Sequence, residues 1–156
     1  MKRKIFSTAF ASVFAAALIM SIAAPAHAWD GPQCSLAQSK GNFAFTDNGT
    51  VIGIGPRTAV GVFTLDGAGN LVNGVATSSL NGSVADETFS GTYTVNSNCI
   101  GTGNVKIFAS GTEILALTMT LSFDDDMREM RVIFSSVTLP NGTPLQTVIN
   151  LEARKQ

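Results

Sequence analysis

Hydrophobic and polar residues alternate along the chain after residue 33, and turn-forming dipeptides interrupt the alternation roughly every 10–15 residues. The clearest apolar face comprises Leu115, Leu117, Met119, Leu121 and Phe123. Two further faces comprise Phe89, Gly91, Tyr93 and Val95, and then Leu145, Ile149 and Leu151. Successive side chains of a β-strand point to opposite faces. One apolar face per strand therefore predicts one shared core with a polar outer surface.

The pattern predicts eight strands. They cover 40–47, 57–66, 70–80, 86–96, 99–108, 112–123, 127–139 and 143–154. Turns are predicted at Asn-Gly 48–49, 73–74, 81–82 and 141–142 and at Asp-Gly 66–67, because these dipeptides accept positive φ angles. The stretch 50–55 would extend the first hairpin, although Gly53, Gly55 and Pro56 disfavour a regular central strand.

Eight sequential strands joined by short turns predict an all-β fold, an antiparallel up-and-down barrel. Closure of such a barrel removes the exposed edges of the sheet. The long strands 112–123 and 127–139 also favour a tilted barrel wall. A two-sheet β-sandwich is the alternative.

The N-terminus has the parts of a secretory signal peptide. Basic residues at 2–4 precede an uncharged, mostly apolar stretch, and Ala26-His27-Ala28 offers small residues before a cut site. Cleavage between Ala28 and Trp29 would leave a single domain, 29–156, in the bacterial periplasm or outside the cell. The alternative is an uncleaved membrane anchor. After cleavage we expect no membrane insertion.

Charge and residue content narrow the chemistry by exclusion. Residues 29–156 carry seven Lys and Arg against eleven Asp and Glu, a net charge of about −4, without basic clusters, so nucleic acid is not an expected partner. The only histidine lies in the signal segment, which excludes histidine-based catalysis and metal binding in the mature chain. Cys34 and Cys99 are predicted to form a disulfide; a redox or metal pair would need CxxC-like spacing or histidine ligands.

Three stretches together resemble a known group of proteins. The segment from Cys34 resembles an SLxGxYxF opening strand, the one from Phe63 an FxFDGxGN hairpin, and the one from Phe89 the pattern FSGTYTVNxDCxGT, with Asn98 in place of the usual Asp. In this order they resemble small secreted bacterial proteins of unknown role. The resemblance implies a barrel similar to lipocalin-like and allene-oxide-cyclase-like folds. It implies no catalytic residues.

Acidic clusters offer three weak candidates for chemistry. The run 124–126 could form a calcium loop, and Asp66-Gly-Ala-Gly-Asn70 shows half of an EF-hand spacing, but both are also what a hairpin turn requires. Glu113 could pair with Asp86 or Glu87 as catalytic acid and base, yet all three lie near predicted strand ends, where exposure is expected. We therefore expect no metal and no cofactor.

The functional hypotheses concern what fills the barrel. An eight-stranded barrel can hold one small apolar ligand. The candidate ligand-binding residues are Phe63, Tyr93, Met119, Phe123 and Arg131. Of the polar groups, Tyr93 and Arg131 are the best placed to reach inside, since each lies within a β-run, although an outward-facing Arg131 is the commoner arrangement. Seven phenylalanines and three methionines after residue 28 could instead fill the barrel, leaving a protein that acts through its surface. An isomerase or cyclase without metal or covalent catalysis is a further alternative.

Overall fold

The alternating segments form strands. The structure, a computed structural model, describes residues 34–124 and 126–156. A short helix, α1 (Leu36–Ser39), comes first. The strands are β1 (Gly41–Val51), β2 (Gly55–Leu65), β3 (Asn70–Leu80), β4 (Ser83–Tyr93), β5 (Ile100–Ala109), β6 (Thr112–Phe123), β7 (Glu129–Thr138), β8 (Pro144–Leu145) and β9 (Thr147–Lys155).

The strands close into a barrel. Each strand from β1 to β7 pairs antiparallel with the next, and β9 pairs with both β7 and β1. The two residues of β8 pair with β7, so β8 and β9 together occupy the place of the predicted strand 143–154. The prediction of an eight-stranded antiparallel up-and-down barrel is confirmed, and the sandwich alternative is excluded.

Two of the five predicted turns are wrong. Asn48 and Gly49 continue β1, which pairs with β2 as far as Val51, so the first turn is formed by residues 52–54. The dipeptide 73–74 lies within β3, where the register with β4 shifts. The turns at 66–67, 81–82 and 141–142 lie between strands as predicted. The turn at 81–82 is followed directly by β4, which starts at Ser83, three residues earlier than predicted.

Aromatic side chains fill much of the barrel interior. Phe43, Phe45, Phe63 and Phe123 are buried, and the Phe43 and Phe63 rings stack with centroids 5.5 Å apart. The inward faces predicted for β4, β6 and β9 coincide with the buried or half-buried positions of those strands. The core is therefore the barrel lumen, and the alternating pattern indicated which side of these three strands lines it.

One end of the barrel is held by α1 and the disulfide, and we call it the helix end. Cys34 and Cys99 form the predicted disulfide. The buried Ser39 hydroxyl at the end of α1 lies 2.6 Å from the hydroxyl of Tyr93. The predicted signal peptide and its cleavage site between Ala28 and Trp29 lie outside the described residues. Within residues 34–124 and 126–156, no helix is long and apolar enough to cross a membrane.

Candidate functional site

The barrel lumen contains a cavity of about 50 Å³. Its apolar walls include Phe45, Phe63, Phe89, Leu117, Met119 and Leu151. A water molecule needs about 10–15 Å³ of such volume, whereas drug-sized ligands occupy pockets of roughly 300–1,000 Å³. The cavity as it stands thus accepts a compact group of a few heavy atoms.

Three buried charged side chains line the same cavity, and we call Asp47, Arg57 and Glu87 the charge cluster. Their exposed fractions are 2%, 8% and 5%. The Arg57 guanidinium donates Nη1–H to Glu87 Oε1 at 3.2 Å and Nη2–H to Glu87 Oε2 at 3.0 Å. Its Nε lies 3.4 Å from Asp47 Oδ2. The Ser78 hydroxyl donates to Glu87 Oε1 at 2.7 Å, so both oxygens of Glu87 accept hydrogen bonds.

The strand register explains why these polar residues face inward. Asp47 follows the buried Phe43 and Phe45 at intervals of two along β1. Arg57 precedes the buried Ala59 by two residues on β2, and Glu87 precedes Phe89 by two on β4. Because β-strand side chains alternate with a period of two, each shares the inward face of its strand. Four neighbouring strands thus bring the cluster and Ser78 together, on the part of the barrel away from the helix end.

Burial and charge act in opposite directions within the cluster. Burial raises the pKa of the Asp47 carboxyl above its ordinary value, and the charge of Arg57 only partly offsets this. Burial lowers the pKa of Arg57, but the hydrogen bond to Glu87 and the two carboxylate charges outweigh burial and raise it. Arg57 is therefore always cationic. With both carboxylates ionised, the cluster carries a net charge of −1.

Asp47 is also the member of the cluster with an unsatisfied atom. Its Oδ1 is buried and has no hydrogen-bond partner within the described part of the chain. A buried acceptor without a partner costs about 1–3 kcal/mol, and more when the group is charged. The Oδ1 atom of Asp47 is therefore an unsatisfied acceptor in a residue that lines the cavity.

The raised pKa of Asp47 predicts a specific pH dependence. The folded protein binds a proton at Asp47 at a higher pH than the unfolded chain does, so acidification between these two pKa values stabilises the fold through this group. Asp47→Asn removes this contribution. We expect the stability of the wild type to improve relative to Asp47→Asn as pH falls from 7 to 4, measured by urea unfolding.

Asp86→Asn supplies the matched control for that prediction. Asp86 lies beside Glu87 in sequence but is exposed on the outer face of β4, where its carboxylate accepts from the Thr77 hydroxyl. The Asp86→Asn substitution removes the same charge as Asp47→Asn, but on the outside of the barrel. A relative stability of Asp47→Asn that is independent of pH, or that changes in the opposite sense, would contradict the prediction.

The residues proposed from sequence as ligand-binding lie in three places. Phe63 and Met119 line the cavity. Tyr93 and Phe123 are buried toward the helix end, where Tyr93 contacts Ser39. Arg131 lies exposed on the outer face of β7, the alternative left open above, because it is out of phase with the buried Met130 and Val132.

The expectation that Glu87 is exposed is wrong, and Asp47 and Arg57 were not singled out from sequence. Glu87 was placed near a strand end, but β4 starts at Ser83, so Glu87 lies inside the strand and is buried. The signal that could have found all three was their phase: each lies two residues from an apolar inward position. Extending the alternation past the apolar residues would have placed them in the lumen.

The acidic turns considered for calcium use their carboxylates locally. Asp66 Oδ1 accepts the backbone N–H groups of Ala68 and Asn70 at 2.7 and 2.9 Å. Asp124 Oδ1 accepts those of Arg128 and Glu129 at 2.7 and 3.0 Å. Within the described ranges, no three His, Cys, Asp or Glu side chains come together as a metal site. Both carboxylates act as turn-stabilising acceptors.

Comparison with known proteins supports the architecture. No protein-family model matches the chain, and a search of curated proteins gives no match. A redesigned β-barrel, mFAP1, bound to DFHBI, is similar with a TM-score of 0.51 and 14% sequence identity, over 78% of this chain and 98% of that chain. Rv2717c from M. tuberculosis has a TM-score of 0.40 and 17% identity, over 78% of this chain and 94% of its own. At this identity the redesigned barrel supports the β-barrel fold alone.

Proposed function

We propose that the protein binds a small, mostly apolar ligand inside the barrel. The observation that carries this proposal is the lumen cavity, whose walls are apolar except where the charge cluster lines it. Ligand sites are typically apolar cavities with a few convergent polar groups that orient the ligand. Phe63 and Met119 would contact the apolar part, and the cluster would contact a polar group.

The energetics of the cluster support a binding role over a structural one. Replacing a buried ion pair by well-packed apolar residues is often neutral or stabilising by about 1–4 kcal/mol. A barrel already rich in phenylalanine could therefore be as stable without three buried charges. Buried charges in a cavity are instead typical of sites that recognise a ligand.

Ligand size is set by the side chains around the cavity. About 50 Å³ accepts only a compact molecule without rearrangement. Met119 and Met130 line the cavity, and methionine changes shape more readily than branched or aromatic residues. We infer that short-chain ligands enter first and that longer ones require these methionines to move.

Export is part of the proposal. A disulfide persists in the periplasm or outside the cell, and is rare in the cytoplasm. The Cys34–Cys99 bond supports such a compartment, where a barrel of this kind would act as a carrier.

Ala76→Leu tests the proposal by filling the cavity. Ala76 lines the cavity, whereas its neighbour Val75 is 48% exposed on the outer face. We expect n-butanol to bind the wild type with a dissociation constant near 1 mM, or about 4 kcal/mol. Ala76→Leu should weaken binding at least ten-fold and Val75→Leu should leave it unchanged. The measurement is an NMR titration that follows the methyl resonances of Met119 and Met130.

Two outcomes of that titration count against the proposal. Equal weakening by both leucine variants, or no shift of the wild-type methionine resonances, would contradict binding in the lumen. If Ala76→Leu alone weakens binding, native mass spectrometry of the full chain, expressed with its own N-terminal segment, would identify the natural ligand from mass lost on denaturation.

A second function is favoured by the outer surface. Val60 and Val62 on β2 and Val75 on β3 are 60%, 38% and 48% exposed, and Val62 pairs directly with Val75. Adjacent exposed apolar residues on a sheet are typical of contact surfaces. If the protein is a filled barrel that acts through this surface as an envelope or interaction protein, Val62→Lys should abolish binding to its partner, whereas Ala76→Leu should not.

A further inference from the structure

We propose that the polar group of the ligand is a primary ammonium, which binds Asp47 Oδ1 in the cavity. The inference rests on the proposed function and names the chemical class of the ligand: a short aliphatic amine, cationic at neutral pH. Its apolar chain would lie against the aromatic and aliphatic walls of the lumen.

The charge of the cluster favours a cationic ligand. Two carboxylates face one guanidinium, so the ionised cluster has an excess negative charge inside an apolar lumen. An uncompensated buried charge is strongly unfavourable unless a counter-charge or hydrogen bonds compensate it. A ligand ammonium would bring the cluster to neutrality.

The donors and acceptors of the cluster favour an ammonium over a carboxylate. Arg57 directs Nη1 and Nη2 at Glu87 and Nε toward Asp47, so three of its five N–H donors face carboxylates of this chain. A ligand carboxylate would bring a third negative charge next to these two. An ammonium has three N–H donors and no acceptor, which matches the unsatisfied acceptor at Asp47 Oδ1.

The walls beside the cluster are also suited to a cation. Phe45, Phe63 and Phe89 line the cavity and pack against one another, with ring centroids 5.7–6.2 Å apart. The faces of aromatic rings attract ammonium groups, more strongly when water is excluded. Burial raises the pKa of Asp47, and a bound ammonium would lower it again by stabilising the carboxylate.

The test compares three probes of matched chain length at pH 7: n-butylamine, n-butanol and sodium butyrate. The methyl resonances of Met119 and Met130 report binding in the wild type, in Asp47→Asn and in Asp86→Asn. Asp86→Asn removes the same charge from the outer face. We expect wild-type and Asp86→Asn proteins to bind butylamine at least ten-fold more tightly than butanol, with butyrate weakest. Asp47→Asn should lose at least ten-fold in butylamine affinity, so that its preference for butylamine over butanol disappears.

The outcomes separate the two proposals. Butanol binding without any preference for butylamine would overturn the ammonium assignment and leave lumen binding standing. An equal loss of butylamine affinity in Asp47→Asn and Asp86→Asn would also overturn it, since the preference would then reflect overall charge. No shift with any probe would overturn lumen binding itself. The wild-type ranking decides the question even if Asp47→Asn does not fold.

Discussion

Arg57→Met is expected to lower the free energy of unfolding at pH 7 by about 3–5 kcal/mol, because removing one partner leaves buried charges uncompensated. Without the Arg57 guanidinium, the carboxylates of Asp47 and Glu87 would be left in the lumen with no cation beside them. Acidification should reduce this destabilisation, since burial raises the pKa of Asp47 and protonation of its carboxyl removes part of the uncompensated charge. Urea unfolding at pH 7 and pH 4 measures both effects.

Two further variants separate charge from packing. Arg131→Met removes an arginine from the exposed face of β7, and we expect its effect to stay within about 0.5 kcal/mol. Combining Arg57→Met with Asp47→Leu and Glu87→Met replaces the whole charge cluster by apolar residues, which should recover most of the stability. If Arg57→Met alone were within about 1 kcal/mol of wild type at pH 7, Arg57 would not be the compensating charge of the lumen.

Removing the disulfide is the second change with a large expected effect. Cys34 and Cys99 are separated by 65 positions, and closing a loop of this length stabilises a fold by about 4 kcal/mol in the chain-entropy model. The bond also ties the segment before α1 to the start of β5 at the helix end. We expect the variant with both Cys34→Ser and Cys99→Ser to lose about this amount in chemical unfolding.

Reduction of the wild type provides the control for the disulfide. Wild-type protein unfolded in the presence of a reductant should match the double serine variant, while the variant itself should be insensitive to the reductant. The charge cluster lies away from the helix end. The oxidised wild type and the double serine variant should therefore bind n-butanol with the same affinity under conditions where both remain folded. A double variant as stable as the oxidised wild type would contradict the stabilising role.

Alternation predicted the fold because each strand carries its own inward face. The buried positions of β6, Leu117, Met119, Leu121 and Phe123, are the ones its pattern indicated. Eight such segments in sequence, joined by short turns, have few ways to bury their faces together. The antiparallel barrel therefore followed from local patterns repeated along the chain.

Turn dipeptides were less reliable because their preference is local. Asn48 pairs with Thr58 on one side and Asn150 on the other, so two neighbouring strands hold it extended. A Cβ at Gly49 would collide with the backbone of Val148 and Ile149, which shows that this glycine permits close approach of β9. The same dipeptide at 81–82 lies between β3 and β4 and forms a turn with positive φ at both residues.

By itself, the sequence predicted the strand count, the apolar faces of three strands, the barrel and the Cys34–Cys99 pair, because each depends on residue type and spacing along the chain. The tertiary structure alone decided that Asp47, Arg57 and Glu87 form one cluster. Arg57 and Glu87 lie on β2 and β4, which are separated by β3, and Asp47 joins them from β1. Their contact depends on strand register and barrel closure, which bring side chains from different strands into one lumen.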